Sequence, residues 1–161
     1  MAVLTCAELG YPALQQLLDR FGLSLTVVAD NAPIPGSWFG EPEAGVIRTK
    51  VLVRGDTPVH SALHEACHVI CMDANRRASL HTDTGGDYAE ENAVCYLQLL
   101  LASHLPGLGQ ARMLQDMDEW GYSFRLGSSR AWFEEDAEDA RLWLLQHGLI
   151  HNDLQPSWRL R

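Results

Sequence analysis

One stretch limits what this chain can fold into: Thr57-Pro-Val-His-Ser-Ala-Leu-His-Glu-Ala-Cys-His-Val-Ile-Cys-Met72. At its centre stands the pentapeptide His64-Glu65-Ala66-Cys67-His68, flanked by Val59, Ala62, Leu63, Val69, Ile70 and Met72. Thr57 is a good N-cap and Pro58 suits a first helical position, so the stretch predicts a helix from about Pro58 to about Ala74. Asn75 and the Arg76-Arg77 pair fall at its C-terminal end. Residues four apart on a helix lie one above the other, which lets His64 and His68 offer ring nitrogens to one cation. Glu65 is turned by about 100° from His64, where it can reach a cation-bound water without being a ligand. Three ionisable groups on an apolar, central helix are costly unless paired or metal-bound. H-E-x-x-H on a helix is the spacing of zinc-dependent hydrolases, with Glu65 as the general base.

The rest of the chain supplies a frame for that helix. Ala7 to Arg20 reads as a first helix ended by Gly22, and Leu23 to Ala29 alternates like a strand. Two prolines make Asn31 to Gly36 a loop. Ser37 to Gly40 reads as a short strand, and Gly45–Arg48 and Lys50–Arg54 as two more or one irregular one. After the polar loop His81 to Asp87 comes a strong helix, Tyr88 to Ser103, ended by Pro106-Gly107. Gln110 to Trp120 is a further helix. Ser128 or Ser129 caps a last long helix to His147, with Gly148 at its left-handed C-cap. The acidic run Glu134 to Asp139 reads as a solvated face, and Trp120, Trp132 and Trp143 as core. The fold class expected is α+β: an N-terminal helix, a three- or four-stranded sheet, the motif helix and C-terminal helices. A length of 161 residues without repeat or linker reads as one domain, 1–161.

Net charge is −9 and Lys50 is the sole lysine, a balance that speaks against nucleic-acid binding. No apolar run approaches a membrane span, and the first ten residues lack the basic and apolar regions of a signal peptide. Cys6, Cys67, Cys71 and Cys95 read as buried thiols. The expected location is cytoplasmic.

Two histidines hold a cation poorly, and catalytic zinc sites usually have three protein ligands. The candidates beyond the motif are His81, Asp83, Asp87, Glu90, Glu91 and His104. On the helix beginning near Tyr88, Ala93, Val94, Leu97, Leu100 and Leu101 form an apolar face that includes Glu90. Glu91 points towards Cys95 and Gln98. The phase favours Glu90 as third ligand and leaves Glu91 as the alternative, while Asp87 with Glu90 also fits a capping box.

The order of elements and a helix opening Glu90-Glu-Asn-Ala93-Val-Cys-Tyr96-Leu-Gln-Leu-Leu100-Leu101 resemble the ImmA/IrrE-type metallopeptidases, compact gluzincins. Their second motif, Glu-x-x-Ala-Asn-x-Phe-Ala-x-x-Leu-Leu, is met at Glu90, Ala93, the aromatic Tyr96 and the leucines. Val94 and Leu97 replace its Asn and Ala, and the resemblance covers roughly Leu23 to Leu101. It implies a small zincin domain in which His64, His68 and Glu90 bind zinc and Glu65 is the base. Such a site also wants an oxyanion donor, for which Tyr88, Tyr96, His81, His104, Tyr122 and His60 qualify by chemistry.

The leading expectation is therefore a zinc metallopeptidase acting on a protein or peptide substrate, which adds as a strand to an exposed sheet edge. A non-catalytic zinc-containing interaction protein of the same fold is the alternative. A structural zinc site would need a fourth ligand such as His60 or His81.

Overall fold

Gly10, at φ +94°, splits the first expected helix into α1 (Cys6–Leu9) and α2 (Tyr11–Asp19) in the computed structural model, which describes residues 2–161. Thr5 and Glu8 close a capping box on α1, and Pro12 stands in the first turn of α2, where no N–H is needed. Leu14, Leu17 and Leu18 give α2 its buried face.

Three strands follow: β1 (Ser24–Val27), β2 (Gly45–Ile47) and β3 (Lys50–Val53). Their order is β1-β3-β2, with β1 parallel and β2 antiparallel to β3. Ser37 to Gly40 forms no strand; Ser37 makes one isolated bridge to Gly45. A Cβ on Gly45 would lie 2.0 Å from the Pro35 carbonyl oxygen, so only glycine lets the incoming loop lie against β2. The β2 edge of the sheet is not free. Val46 N–H donates to Gly36 O (3.2 Å), Thr82 N–H to Val46 O (3.0 Å) and Arg48 N–H to Leu80 O (2.8 Å). The chain covers its own edge there, as edge strands commonly are covered.

The motif helix, α3, runs from Val59 to Cys71. Its N-cap is Pro58 and not Thr57, whose buried hydroxyl instead accepts from Arg54 N–H at 2.8 Å. Met72 turns extended (ψ 156°) and Asp73 caps a separate short helix, α4 (Ala74–Ala78). Helix α5 (Tyr88–Ala102) packs on α3, and α6 (Gly109–Trp120) and α8 (Glu138–Gln146) pack on α5. The fold is thus α+β: α3 lies between the sheet on one side and α5 on the other.

The last expected helix is also two, α7 (Ser129–Glu135) and α8, broken at Asp136-Ala137. Asp136 leaves the helix to pair with Arg125, and five acidic residues within six positions repel one another in a continuous helix. Among the described residues no helix is long and apolar enough to cross a membrane.

Candidate metal centre

Of the thirteen residues of α3, eleven are buried; the two that are not are His64 and Glu65. The sheet and α5 cover the helix elsewhere, so one short window faces the outside, and it carries the motif. His64 and His68 lie one turn apart with ring centroids 4.8 Å from each other. Their Nε2 atoms point at one carboxylate: His64 Nε2 is 3.1 Å and His68 Nε2 3.0 Å from the two oxygens of Glu91.

The third member of the group is therefore Glu91, and the expectation of Glu90 is corrected. Glu90 is 3 % exposed, but its partners are arginines. Arg76 grips both its oxygens at 2.8 Å, and Arg161 reaches Oε1 at 3.2 Å. The loop before α5 closes over this pair: a Cβ on Gly86 (φ +90°) would stand 2.1 Å from Glu90 Oε2. The premise that a carboxylate buried on this helix needs a partner is sound; the partner is a pair of guanidinium groups. Asp87 is the N-cap of α5, accepting from Glu90 N–H at 2.9 Å. Its box with the Glu90 side chain does not form.

Gln98 is the residue the sequence reading passed over. It is fully buried, two turns beyond Glu91 on the same face of α5. Its orientation follows from one backbone group. The His60 carbonyl can only accept, so the atom 3.0 Å from it is the amide nitrogen of Gln98. The amide oxygen then faces His64 Nδ1 at 2.8 Å. That nitrogen must carry the proton, which leaves Nε2 of His64 as the ligand atom. A glutamine amid the apolar run Ala93 to Ala102, seven residues after a glutamate, was the available signal. His68 Nδ1 has no hydrogen-bond partner, so beyond its contact with Glu91 only packing orients that ring.

Tyr122 completes the wall beside His64, their rings edge-on with centroids 5.7 Å apart. Gly121 (φ +104°) ends α6 in the left-handed conformation and turns Tyr122 back over the motif helix. The Tyr122 hydroxyl is 3.1 Å from His60 Nδ1 and 3.5 Å from Gln98 Nε2. His60 is 1 % exposed, and burial lowers its pKa to about 4. It is neutral, and its Nε2 has no partner. An orphaned lone pair costs less than an orphaned N–H, so the proton sits on Nδ1 and donates to the Tyr122 oxygen. The hydroxyl hydrogen of Tyr122 is then not taken up by His60.

The other oxyanion candidates lie elsewhere. Tyr88 is 77 % exposed at the start of α5. Tyr96 packs on Trp132 and Phe133, and His104 on Trp158. His81 is exposed and bonded to Thr82 Oγ1 at 2.8 Å. Asp83 accepts from Gly85 N–H at 2.9 Å. Trp132 is core, whereas Trp120 is 41 % exposed at the cleft.

Two clefts, of about 340 and 360 Å³, meet at His64, Glu65 and Glu91, with Phe39 shared by both. Burial raises the Glu65 carboxyl, and the charges of Glu91 and Glu43 add to this, while His64 and His68 oppose it. Burial works against the Glu91 carboxylate too, but its hydrogen bonds to the two histidines prevail and hold it well below the usual range. All four cysteines are free and buried, and burial keeps the Cys67 and Cys71 thiols protonated.

The donor set fits a divalent ion. The ligand atoms of His64, His68 and Glu91 lie within 4.8 Å of one another. Each histidine Nε2 stands 3.0–3.1 Å from an oxygen of Glu91, so all three side chains already converge on one point. Among the described residues no fourth His, Cys, Asp or Glu joins the group, and His64 and Glu91 line both clefts. Neither a family model, nor a curated protein, nor a solved structure matches the chain. What stands is an α+β fold that brings a His-His-Glu group able to hold a metal ion to the floor of a cleft.

Proposed function

We propose that the chain is a zinc-dependent peptidase, in keeping with its resemblance to the ImmA/IrrE-type metallopeptidases. One observation carries this: the single uncovered window of the buried motif helix presents His64 to a three-ligand group and Glu65 to the same cleft. His64, His68 and Glu91 are the residues that would hold the ion. Two imidazoles and a carboxylate are the set of several catalytic zinc sites, and the bound ion supplies polarisation of a carbonyl and an acidified water.

The chain's own residues do the rest. Glu65, with its carboxyl raised by burial, accepts the proton of the attacking water and delivers it to the leaving amine. Tyr122, its oxygen loaded by His60 Nδ1–H, donates its hydroxyl hydrogen to the carbonyl oxygen as that oxygen gains charge. Gln98 keeps His64 in the tautomer that leaves Nε2 free. The substrate is a peptide segment lying across both clefts.

Glu65→Gln should keep one zinc per chain and lose cleavage of a peptide mixture by about 10²–10⁴-fold, the usual worth of a general base. Undiminished cleavage by that variant would sink the assignment.

A metal-holding interaction protein is the second reading, favoured by the exposed neighbours Trp38 and Phe39 (61 % and 74 %) at the cleft lip. It predicts binding without turnover: zinc-loaded wild type would leave every peptide of the mixture intact.

A further inference from the structure

We infer that the first cleft is a pocket for a cationic group of the peptide, with Glu43 as its specificity-determining residue. The inference rests on the peptidase reading for its occupant. The cleft of about 340 Å³ has aromatic walls, Phe39, Trp120 and Tyr122, and carries carboxylates at Glu43, Glu65 and Glu91. Glu65 and Glu91 have work at the metal centre; Glu43 has none. It forms no ion pair among the described residues, and no lysine or arginine lines either cleft.

Glu43 is nevertheless held in place. Ser37 Oγ donates to its carbonyl at 3.0 Å, and the next amide, Ala44 N–H, donates to the buried Ser61 Oγ of α3 at 2.9 Å. Its side chain is fixed across the cleft by Trp120 Nε1–H, 3.0 Å from Oε1. That neutral donor occupies one oxygen and offsets no charge, so Oε2 remains for a ligand. An immobilised carboxylate at the end of an aromatic box attracts a cation twice, by ion pairing and through the ring faces. A guanidinium stacks on such faces better than an ammonium does. The exposed Phe39, shared by both clefts, is apolar surface that a bound peptide would cover. The cation comes from an arginine or lysine side chain or from a free peptide amino terminus, both within the same class of ligand.

The test is binding, measured by calorimetry on zinc-loaded Glu65→Gln protein, which holds peptides without turnover. Hexapeptides capped at both ends and differing at one position (arginine, lysine, norleucine or glutamate) are titrated, together with the uncapped norleucine peptide. The arginine peptide should bind at least tenfold tighter than norleucine, with glutamate weakest. In the Glu65→Gln/Glu43→Gln protein, where the Trp120 hydrogen bond can persist, the preference should fall below threefold. A gain confined to the uncapped peptide would assign the cation to the amino terminus and still supports the pocket. Equal binding of arginine and norleucine, a preference that survives Glu43→Gln, or no binding by any peptide would overturn it. Cleavage by wild type is scored separately on the same peptides. Preference without cleavage removes the peptidase reading and keeps the cation pocket; cleavage without preference does the reverse.

Discussion

Glu90 and Glu91 are adjacent, chemically identical, and divided between two tasks. Glu90→Ala leaves Arg76 and Arg161 without their carboxylate, and breaking a buried ion pair typically costs 3–5 kcal/mol. Both arginine side chains are about a third exposed, which screens them and lowers the expectation to roughly 2–3 kcal/mol. That loss should appear in urea unfolding while zinc content stays at one per chain. Glu91→Ala should abolish stoichiometric zinc, and in metal-free protein it should cost less than Glu90→Ala, because Glu91 is the more exposed carboxylate (46 % against 4 %). Zinc lost from Glu90→Ala and kept in Glu91→Ala would reverse the assignment. Gln98 makes a sharper test, since it touches no metal. Gln98→Leu should weaken zinc binding about 10–100-fold, as loss of an orienting partner does, and Gln98→Glu, which keeps an acceptor towards His64 Nδ1 but loses the donor to the His60 carbonyl, should restore it in part. Competition with a chelating dye reads both. Equal affinity in Gln98→Leu would mean that packing alone fixes the His64 ring.

At the level of elements, the motif helix was legible because its pattern is redundant: apolar spacing, a proline at its start and histidines four apart all agree. The phase of α5 was legible too, with Glu90 on its buried side and Glu91 towards Gln98; the partner each glutamate takes was not. Every residue from Ala93 to Ala102 is buried, since α3, α6 and α8 surround that helix, and a helix apolar on all sides does not tell which neighbour meets which glutamate. The sheet order, the split of the first and last helices and the return of Tyr122 depend on single backbone conformations and tertiary pairings. Periodicity carries no trace of those. Gly121 is one such hinge. A side chain there meets no atom within 4 Å, so Gly121→Ala is strained only by its φ of +104°. It should cost about 1 kcal/mol in stability. If the C-cap positions Tyr122, the same variant should lose more in kcat than in KM, and match the kinetics of Tyr122→Phe. A stability loss with unchanged kinetics would separate Tyr122 from the chemistry.

Across the whole molecule the His-His-Glu group spans two helices, and an ion held there would be a cross-link. His64 and His68 belong to α3 and Glu91 to α5, the two helices at the middle of the layers, and an ion between them joins what the sheet and the outer helices only press together. An ion that binds the folded chain and not the unfolded one stabilises it by about 4 kcal/mol at a thousandfold excess over Kd. For a chain of this size each kcal/mol is worth about 2–4 °C, so zinc should raise the melting temperature by roughly 8–16 °C and a chelator should reverse it. Acid acts on Glu91, whose burial is outweighed by the hydrogen bonds to His64 and His68 that hold the carboxyl down, and on carboxyls away from the centre. The carboxyls of Glu8, Asp73 and Asp136 are held below their ordinary values, Glu8 and Asp73 first by backbone N–H groups and Asp136 by Arg125. A depressed group stabilises the fold above its unfolded pKa and stops doing so as pH falls through the folded value. The metal-free protein should therefore lose stability progressively below about pH 4.5. The zinc-dependent rise belongs to the ligands alone: Glu91→Ala should show no shift with zinc and Glu65→Gln the full one. A full zinc shift in Glu91→Ala would place the stabilising ion elsewhere and detach the motif helix from the metal.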